Sequence, residues 1–241
     1  MLEIYGKPSS INVRKVLWLC DELGLDYTLH AYGSGFASVQ TPEFRALNPN
    51  ALVPVIRDGA LVLWESNTIC RYLAARSQRH DLLPAAPAAR ALVEQWMDWQ
   101  ATGLNTAWRY AFMASVRGSA AHTDAQAIAA SVEQWNRHMA ILDAQLQRGG
   151  PFVLGARFTL ADIVLGLSTQ RWVASPHRAC AIARGGGVLR TLEDTRWISA
   201  PWLHCTLMPH IALVRSEPAC AKRTRPPKRC MQHARTALTW A

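Results

Sequence analysis

The sequence predicts an α/β domain over residues 1–82, an all-α domain over residues 88–176 and an atypical tail over residues 177–241. Strand and helix patterns alternate in the first segment, whereas the second contains only long stretches of helical periodicity. The tail is set apart because no sustained period continues after residue 176. We therefore expect this last segment to be disordered or poorly packed.

The chain opens with a strand, a helix and a second strand. Leu2–Tyr5 has the two-residue alternation of a strand. Apolar residues then recur at helical spacing over residues 13–20. Gly24 is a favourable end for that helix, because glycine adopts the left-handed conformation without strain. Alternation resumes over residues 27–32, which predicts the second strand.

A hairpin and a further helix complete the first domain. Two apolar runs, residues 53–56 and 60–64, flank Asp58-Gly59, a dipeptide typical of two-residue hairpin turns. Ser66 has the short polar side chain of a helix N-cap, and apolar residues at helical spacing follow it. The order β-α-β and then β-β-α predicts a thioredoxin-like domain.

The second domain follows a linker that ends at Pro87. Residues 88–116 and 124–147 predict two long helices, the second with an apolar stripe typical of a core-facing helix. Thr159 and Asp162 stand three positions apart at the start of an apolar run. This spacing predicts a capping box, in its acidic variant, at the start of another helix.

The formal net charge of +9 is concentrated in the tail. Residues 1–176 contain 15 Lys or Arg and 14 Asp or Glu, whereas residues 177–241 contain 11 and 3. The nearly neutral body argues against a nucleic-acid partner, and the tail tryptophans are not interleaved with charge as a stacking groove requires. No uncharged apolar run approaches the roughly 20 residues that span a bilayer. We expect a cytoplasmic protein without a membrane partner.

The six cysteines form no CxxC pair and match no zinc-ligand spacing. Dithiol redox chemistry and a metal site are therefore not expected. A disulfide framework would require a secreted chain, and no secretion signal is recognised in the sequence.

Several motifs occur in the order and spacing of one protein family. They are Tyr5-Gly6-Lys7-Pro8-Ser9-Ser10-Ile11-Asn12-Val13-Arg14-Lys15-Val16, Glu22-Leu23-Gly24-Leu25, Asn48-Pro49-Asn50, Val53-Pro54, Trp64-Glu65-Ser66-Asn67 and Phe158-Thr159-Leu160-Ala161-Asp162. Together they resemble the bacterial theta-like and beta-like glutathione S-transferases over residues 1–176. The resemblance implies glutathione as co-substrate, its transfer to a hydrophobic electrophile, a role in detoxification and a homodimer.

The resemblance places Ser10 at the position of the catalytic serine. Glutathione attacks as a thiolate, and a free thiol has a pKa of about 8.5. A hydroxyl at a helix start can donate a hydrogen bond to that sulfur, and the helix N-terminus favours the negative charge by about 0.3–1 kcal/mol. Asn12 is a second candidate donor and Ser9 a third. The alternative is that these residues only cap the helix.

The resemblance also implies a glutathione-binding cradle. A cis bond at Val53-Pro54 would turn the Val53 N–H and C=O toward the peptide backbone of glutathione; a strand-edge proline is the alternative. Ser66 would bind the γ-glutamyl carboxylate at the positive end of its helix, and Glu65 would pair with the α-amino group. An ordinary serine cap with an acidic neighbour is the other interpretation. Further cradle candidates are Gln40, Asn50 and Leu52.

An electrophile pocket between the two domains is implied as well. The candidates by family position are Trp108, Arg109, Phe112 and Met113. For each of them, packing between helices is an equally good interpretation. The alternative function is a catalytically inactive glutathione-binding or interaction protein of the same fold.

The tail departs from the family, and the genetic code offers a reason. Codons for His177-Arg178, read one base later, can encode Ile-Glu, and those for Val188-Leu189-Arg190-Thr191 can encode Tyr-Tyr-Glu-Arg. Both strings belong to the family's usual ending. Trp197-Ile198 forces Gly in the same shifted frame, which also fits. We interpret residues 177–241 as the product of a one-base insertion near the Pro176 codon; a genuine basic tail is the alternative.

Overall fold

A computed structural model describes residues 1–177, so the predicted tail lies outside the described residues from position 178 onward. The first domain contains a four-stranded sheet with the strand order β2-β1-β3-β4. The strands are β1 (Leu2–Tyr5), β2 (Tyr27–His30), β3 (Val55–Asp58) and β4 (Leu61–Trp64). β1 is parallel to β2 and antiparallel to β3, and β3 is antiparallel to β4. The predicted thioredoxin-like arrangement is confirmed.

Three helices accompany the sheet: α1 (Ile11–Leu23), α2 (Pro42–Leu47) and α3 (Ser66–Arg76). Gly24 ends α1 in the left-handed conformation, with φ 62°, as the sequence predicts. The six-residue α2 was not predicted, because it is too short to show a period. Its local signals are the Thr41 side chain, which accepts a hydrogen bond from the Phe44 N–H, and a proline in the first turn.

The second domain is helical, with α4 (Pro87–Trp99), a π-helical segment (Gln100–Leu104), α5 (Asn105–Ser115), α6 (Ala125–Gly149) and α7 (Leu160–Val173). The predicted helical segment over residues 88–116 is confirmed as continuous helix, but its π-helical middle was not predicted. A π-helical turn adds a residue without ending the helix, so apolar periodicity does not reveal it. The core stripe of α6 is present, with Trp135, Met139 and Leu142 buried.

α7 runs through the middle of the core. Eleven of its residues are buried, and it packs against α1 and α4. The Asp162 carboxylate at its start accepts hydrogen bonds from the Thr159 N–H (2.7 Å), the Thr159 hydroxyl (2.9 Å) and the Val153 N–H (2.9 Å). The predicted capping box is thus present, and burial raises the pKa of Asp162 to about 6.

Candidate functional site

The site begins at the loop between β1 and α1. Ser10 is the N-cap of α1, in an extended conformation, and its side chain makes no capping hydrogen bond. Within residues 1–177 the Ser10 hydroxyl is left free to donate to a ligand. Gly6 permits the tight turn into this loop, since a Cβ there would lie 2.5 Å from Cγ2 of Val13. Ser9 is exposed, whereas Ser10 is half-buried.

Asn12 follows Ser10 in the first turn of α1. Its Oδ1 is buried without a hydrogen-bond partner among the described residues. Leaving a buried polar atom unpaired costs about 1–3 kcal/mol. This atom is an acceptor, so a donor role for Asn12 requires its Nδ2 to face the ligand.

The register of the sheet brings three sequence-predicted segments together. Tyr5 pairs with Val55, and Val55 pairs with Trp64. The residues that follow β1, precede β3 and follow β4 therefore meet at one edge of the sheet. A Cβ on Gly6 would lie only 3.3 Å from the Val53 Cβ, which confirms this proximity. The loop that carries Ser10 thus adjoins both the Val53 segment and the Glu65-Ser66 segment.

The Val53-Pro54 peptide bond is cis. Val53 lies outside the strands, and its N–H and C=O make no hydrogen bond within the described part of the chain. Both groups are therefore available to an extended peptide. The preceding turn is held by Asn48, a buried residue of the Asn48-Pro49-Asn50 motif to which the sequence analysis gave no role. Its Nδ2 donates to the Leu52 carbonyl at 2.8 Å, and its Oδ1 accepts from the Asn50 N–H at 3.0 Å.

The start of α3 differs from the expectation in one respect. Glu65, not Ser66, is the N-cap residue, so the prediction of Ser66 as the cap is wrong. Glu65 has φ 71°, a left-handed conformation that is rare for residues other than glycine and costs about 1–3 kcal/mol. The chain turns at Glu65, which makes the buried Ser66 the first helical residue. The N–H groups of this first turn have no side-chain cap among the described residues, and a helix N-terminus carries partial positive charge.

A buried lysine lies behind that helix end. The Lys15 ammonium donates hydrogen bonds to Oε1 of Gln100 (2.8 Å), Oδ1 of Asn67 (3.1 Å) and Oγ of Ser66 (3.5 Å). Lys15 is only 1% exposed, and burial lowers its pKa to about 8. Sequence reasoning missed this residue. Its position among the apolar residues of α1 was the one sequence feature that could have indicated a buried charge.

The Lys15 acceptors are themselves fixed by further hydrogen bonds. The Gln100 Nε2 donates to Oδ1 of Asn105 (3.0 Å) and Oγ of Ser168 (2.9 Å). The Asn67 Nδ2 donates to the Met97 carbonyl (2.8 Å). One polar network therefore joins α1, the start of α3, the π-helical segment and α7.

The remaining cradle candidates lie at the surface. Gln40 is exposed, and its Oε1 accepts a hydrogen bond from the Arg45 guanidinium. Asn50 is exposed and also donates through Nδ2 to Oδ1 of Asn48, at 3.1 Å. Leu52 is 63% exposed, which is unusual for a leucine beside a polar turn. Leu52 is therefore accessible from solvent next to Val53.

The electrophile-pocket candidates divide between core and surface. Trp108 is buried against Trp135, and its Nε1 donates to Oδ1 of Asn105 at 3.1 Å. Phe112 and Met113 are half-buried. Arg109 is exposed on α5 and makes no hydrogen bond or ion pair with the described residues. The structure thus gives Trp108 a packing role and directs attention to Phe112.

Arg171 of α7 was not anticipated at this place. Its guanidinium carbon lies 4.4 Å from the ring centroid of Trp108 and 4.3 Å from that of Phe112. Burial, with the nearby charges of Arg117 and Arg14, lowers the pKa of Arg171 to about 9. A cation therefore covers the ring faces of two of the electrophile-pocket candidates.

Other chemistry finds little support in the described part of the chain. Cys20 and Cys70 are free but buried, and burial raises the pKa of each thiol to about 12. Among residues 1–177, no group of three or more His, Cys, Asp or Glu side chains is arranged to hold a metal ion. None of the described helices combines the length and apolar character needed to cross a membrane.

Comparison with protein families gives two matches. The family described as "Glutathione S-transferase, N-terminal domain" matches residues 9–76, and "Glutathione S-transferase, C-terminal domain" matches residues 125–195. The first match contains the Ser10, Val53 and Ser66 segments. The second covers α6 and α7 and continues beyond the described residues.

Individual proteins are similar over most of their length. Identity is 40% over 167 residues with glutathione S-transferase GstB of Escherichia coli strain K12, covering 68% of this chain and 80% of that one. It is 34% over 190 residues with glutathione S-transferase 3 of Zea mays, covering 76% and 84%. The glutathione-bound crystal structure of the theta class enzyme from Xanthomonas axonopodis pv. citri matches with a TM-score of 0.68 and 42% identity, over 76% of this chain and 91% of that one.

Proposed function

The chain belongs to the glutathione S-transferase family, and from that premise we propose that it transfers glutathione to an electrophile, with Ser10 stabilising the thiolate. The observation that carries the proposal is the meeting of the Ser10 loop, the Val53 segment and the start of α3 at one edge of the sheet. Each of these segments offers a different unpaired group. Their chemistry complements the γ-glutamyl group, the cysteinyl backbone and the thiolate of glutathione.

The two ends of the site would hold the glutathione backbone. The free N–H groups and the Ser66 hydroxyl at the start of α3 favour the γ-glutamyl carboxylate, since the helix N-terminus carries partial positive charge. The exposed Glu65 carboxylate is adjacent and would pair with the α-amino group. The free N–H and C=O of Val53 would pair with the cysteinyl residue as in a β-ladder. These contacts would fix the sulfur near Ser10.

The chemical step requires no general base from the chain. The thiol loses its proton to solvent, and the Ser10 hydroxyl donates a hydrogen bond to the resulting thiolate. Hydrogen bonds to charged groups contribute about 1.5–3 kcal/mol. The thiolate then attacks the electrophilic carbon, a C–S bond forms, and the leaving group departs with the bonding electron pair. Lowering the thiol pKa raises the thiolate fraction near neutral pH.

We also propose that the protein acts in the cytoplasm as a homodimer and serves in detoxification, as the family resemblance implies. Apolar side chains are exposed on β4 and α4, where Leu61, Trp64 and Leu92 could contribute to a subunit contact. Sedimentation equilibrium tests the dimer. A monomer at micromolar concentration would contradict this part of the proposal.

Two measurements on the full chain test the activity. We expect retention on immobilised glutathione with elution by free glutathione, and turnover of 1-chloro-2,4-dinitrobenzene above the uncatalysed rate. Retention without turnover would favour the catalytically inactive glutathione-binding protein. Failure of both, in a protein that melts cooperatively, would overturn the proposal.

A further inference from the structure

Arg171 lies on the aromatic surface formed by two of the electrophile-pocket candidates, Trp108 and Phe112. Its guanidinium lies over both Trp108 and Phe112, at 4.4 and 4.3 Å from the ring centroids. A cation at this distance is attracted to the ring face and blocks stacking by another ring. This aromatic surface therefore presents a positive charge to a ligand and not an open ring face.

A second arginine lies at the end of the same aromatic surface. Arg117 follows α5, and its guanidinium carbon lies 5.6 Å from the Phe112 ring centroid. Phe112 is thus contacted by two guanidinium groups. The positive charge of Arg117 contributes to the lowered pKa of Arg171, after the larger effect of burial. Two like charges on the same ring favour the binding of an anion near them.

The positive charge extends to the Ser10 helix. Arg14 lies one turn beyond Ser10, and its N–H donates to the Ser10 carbonyl at 3.0 Å. Its guanidinium donates to Oε1 of Gln170, a neutral partner, at 2.7 Å. Lys7 precedes Ser10, and its carbonyl accepts the Ser10 N–H at 3.0 Å. Burial, and then the charge of Arg117, lower the pKa of Lys7, so this loop also adjoins Arg117.

These cations lack carboxylate partners in the described part of the chain. Arg14, Arg117 and Arg171 form no ion pair there, although Arg14 and Arg171 are half-buried. Elsewhere, half-buried arginines such as Arg71 and Arg79 are paired with aspartate or glutamate. A partly desolvated cation without a counter-charge is unfavourable, and a bound anion would relieve that cost.

We propose that the electrophile taken by this site carries a carboxylate or other small anionic group, held by Arg117 and Arg171 at the Phe112 surface beside Ser10. This inference rests on the proposed glutathione transfer. The anionic group would anchor the electrophile while the thiolate attacks a carbon farther along the molecule. For an aryl chloride, the C–S bond forms, the C–Cl bond breaks, and chloride leaves with the bonding pair.

The test compares two electrophiles that differ in charge at one position: 4-chloro-3-nitrobenzoate and its methyl ester. For each, kcat/KM is divided by the rate constant of the uncatalysed reaction with glutathione, which removes the difference in intrinsic reactivity. We expect this ratio to favour the carboxylate by roughly 10-fold or more, the size of one charge-assisted contact. We also expect the preference to fall in high salt, because the arginines are partly accessible.

Three variants assign the preference. Arg171→Gln and Arg117→Gln should each raise KM for the benzoate, reduce the preference for the benzoate over the ester and leave KM for glutathione unchanged. Arg137→Gln is the matched control, since Arg137 is exposed on α6 and makes no ion pair or hydrogen bond with described residues. Arg117 is exposed, so its variant should fold even if the Arg171 variant does not.

Several outcomes would overturn the inference. Equal ratios for the two electrophiles, or variants that slow both equally, contradict an anion site. Variants that raise only KM for glutathione would show that the arginines bind a carboxylate of glutathione instead. If the chain turns over neither electrophile, calorimetry with the two chemically prepared glutathione conjugates decides: equal Kd values overturn the anion site alone, and absent binding of both overturns the proposed function as well.

Discussion

The Lys15 Nζ lies 2.8 Å from Oε1 of Gln100, which joins the helix that carries Ser10 to the π-helical segment of the second domain. The same ammonium contacts Ser66 and Asn67 at the start of α3. The π-helical turn contains Gln100, a buried residue whose other amide atom is fixed by Asn105 and Ser168. A single buried cation thus positions α1, the proposed thiolate-binding helix, relative to the proposed carboxylate-binding end of α3.

We expect Lys15→Met to lower the free energy of unfolding by about 2–4 kcal/mol. The substitution removes a buried charge but leaves Oε1 of Gln100 and Oδ1 of Asn67 without donors, and each unpaired buried acceptor costs about 1–3 kcal/mol. Urea denaturation measures the loss. Binding of glutathione should weaken as well, because Ser66 loses its support.

A double-mutant cycle with Gln100→Leu serves as the control for Lys15→Met. The two changes should show a coupling energy of about 0.5–3 kcal/mol, as groups in one hydrogen-bond network do. Additive losses would show that Lys15 and Gln100 act independently, contrary to the network.

Ser10→Ala should reduce activity without reducing stability. The Ser10 side chain makes no capping hydrogen bond, so the free energy of unfolding should change by less than about 0.5 kcal/mol. Loss of a hydrogen bond to the thiolate should lower kcat/KM roughly 10- to 100-fold near pH 6.5. The loss should shrink above pH 9, where glutathione ionises without help.

The pH profile of the Ser10 variant separates the candidate donors. If Ser10→Ala keeps the wild-type pH profile of kcat/KM, Ser10 is not the donor. The donor is then whichever of Asn12 and Ser9 gives, on substitution by alanine, a loss that is large near pH 6.5 and small above pH 9. The structure favours Ser10 because it is half-buried, whereas Ser9 is exposed and the unpaired atom of Asn12 is an acceptor.

The buried capping box predicts a pH-dependent stability. Burial raises the pKa of Asp162 to about 6 from an ordinary value of 3.8, so the folded state binds this proton more tightly than the unfolded chain. The stabilisation of the folded state by protonated Asp162 is fully present below about pH 4 and is lost as the pH rises through about 6. Relative to Asp162→Asn, which does not titrate, the free energy of unfolding of the wild type should fall by about 1–3 kcal/mol between pH 4 and 7.

Guanidinium denaturation at both pH values measures the Asp162 effect. Asp124→Asn is the matched control, because Asp124 caps α6 from an exposed position and accepts two N–H hydrogen bonds there. Relative to Asp124→Asn, the free energy of unfolding of the wild type should not fall in this way between pH 4 and 7. A wild-type advantage over Asp162→Asn that grows with pH would contradict the proposed sign.

Features set by local chemistry were predictable from the sequence. The strands follow from two-residue alternation, the end of α1 from Gly24, and the α7 capping box from Thr159 and Asp162. The site segments could be predicted because their motifs are short and continuous. The cis bond at Val53-Pro54 was expected only from the family resemblance, because local chemistry also allows a trans proline at a strand edge.

Features set by distant contacts were not predictable. Lys15 is separated from Gln100 by 85 positions, and nothing near either residue indicates that they meet. The π-helical segment has no pattern of its own. Ser66 has the side chain of an N-cap but takes the next position, because the unusual backbone conformation of Glu65 turns the chain one residue earlier. Arg171 and Phe112 are 59 positions apart and meet only in the folded chain.

The frameshift hypothesis for residues 177–241 predicts a specific gain on repair. Deletion of one base near the Pro176 codon should encode a family-like ending that contains Ile-Glu and Tyr-Tyr-Glu-Arg. Each large apolar side chain that this ending buries would contribute about 1.5–3 kcal/mol. The repaired chain should therefore unfold at a higher urea concentration and bind glutathione more tightly than the present chain. Gene sequencing comes first, and the hypothesis fails if no single-base change gives such an ending or if both chains share one unfolding midpoint.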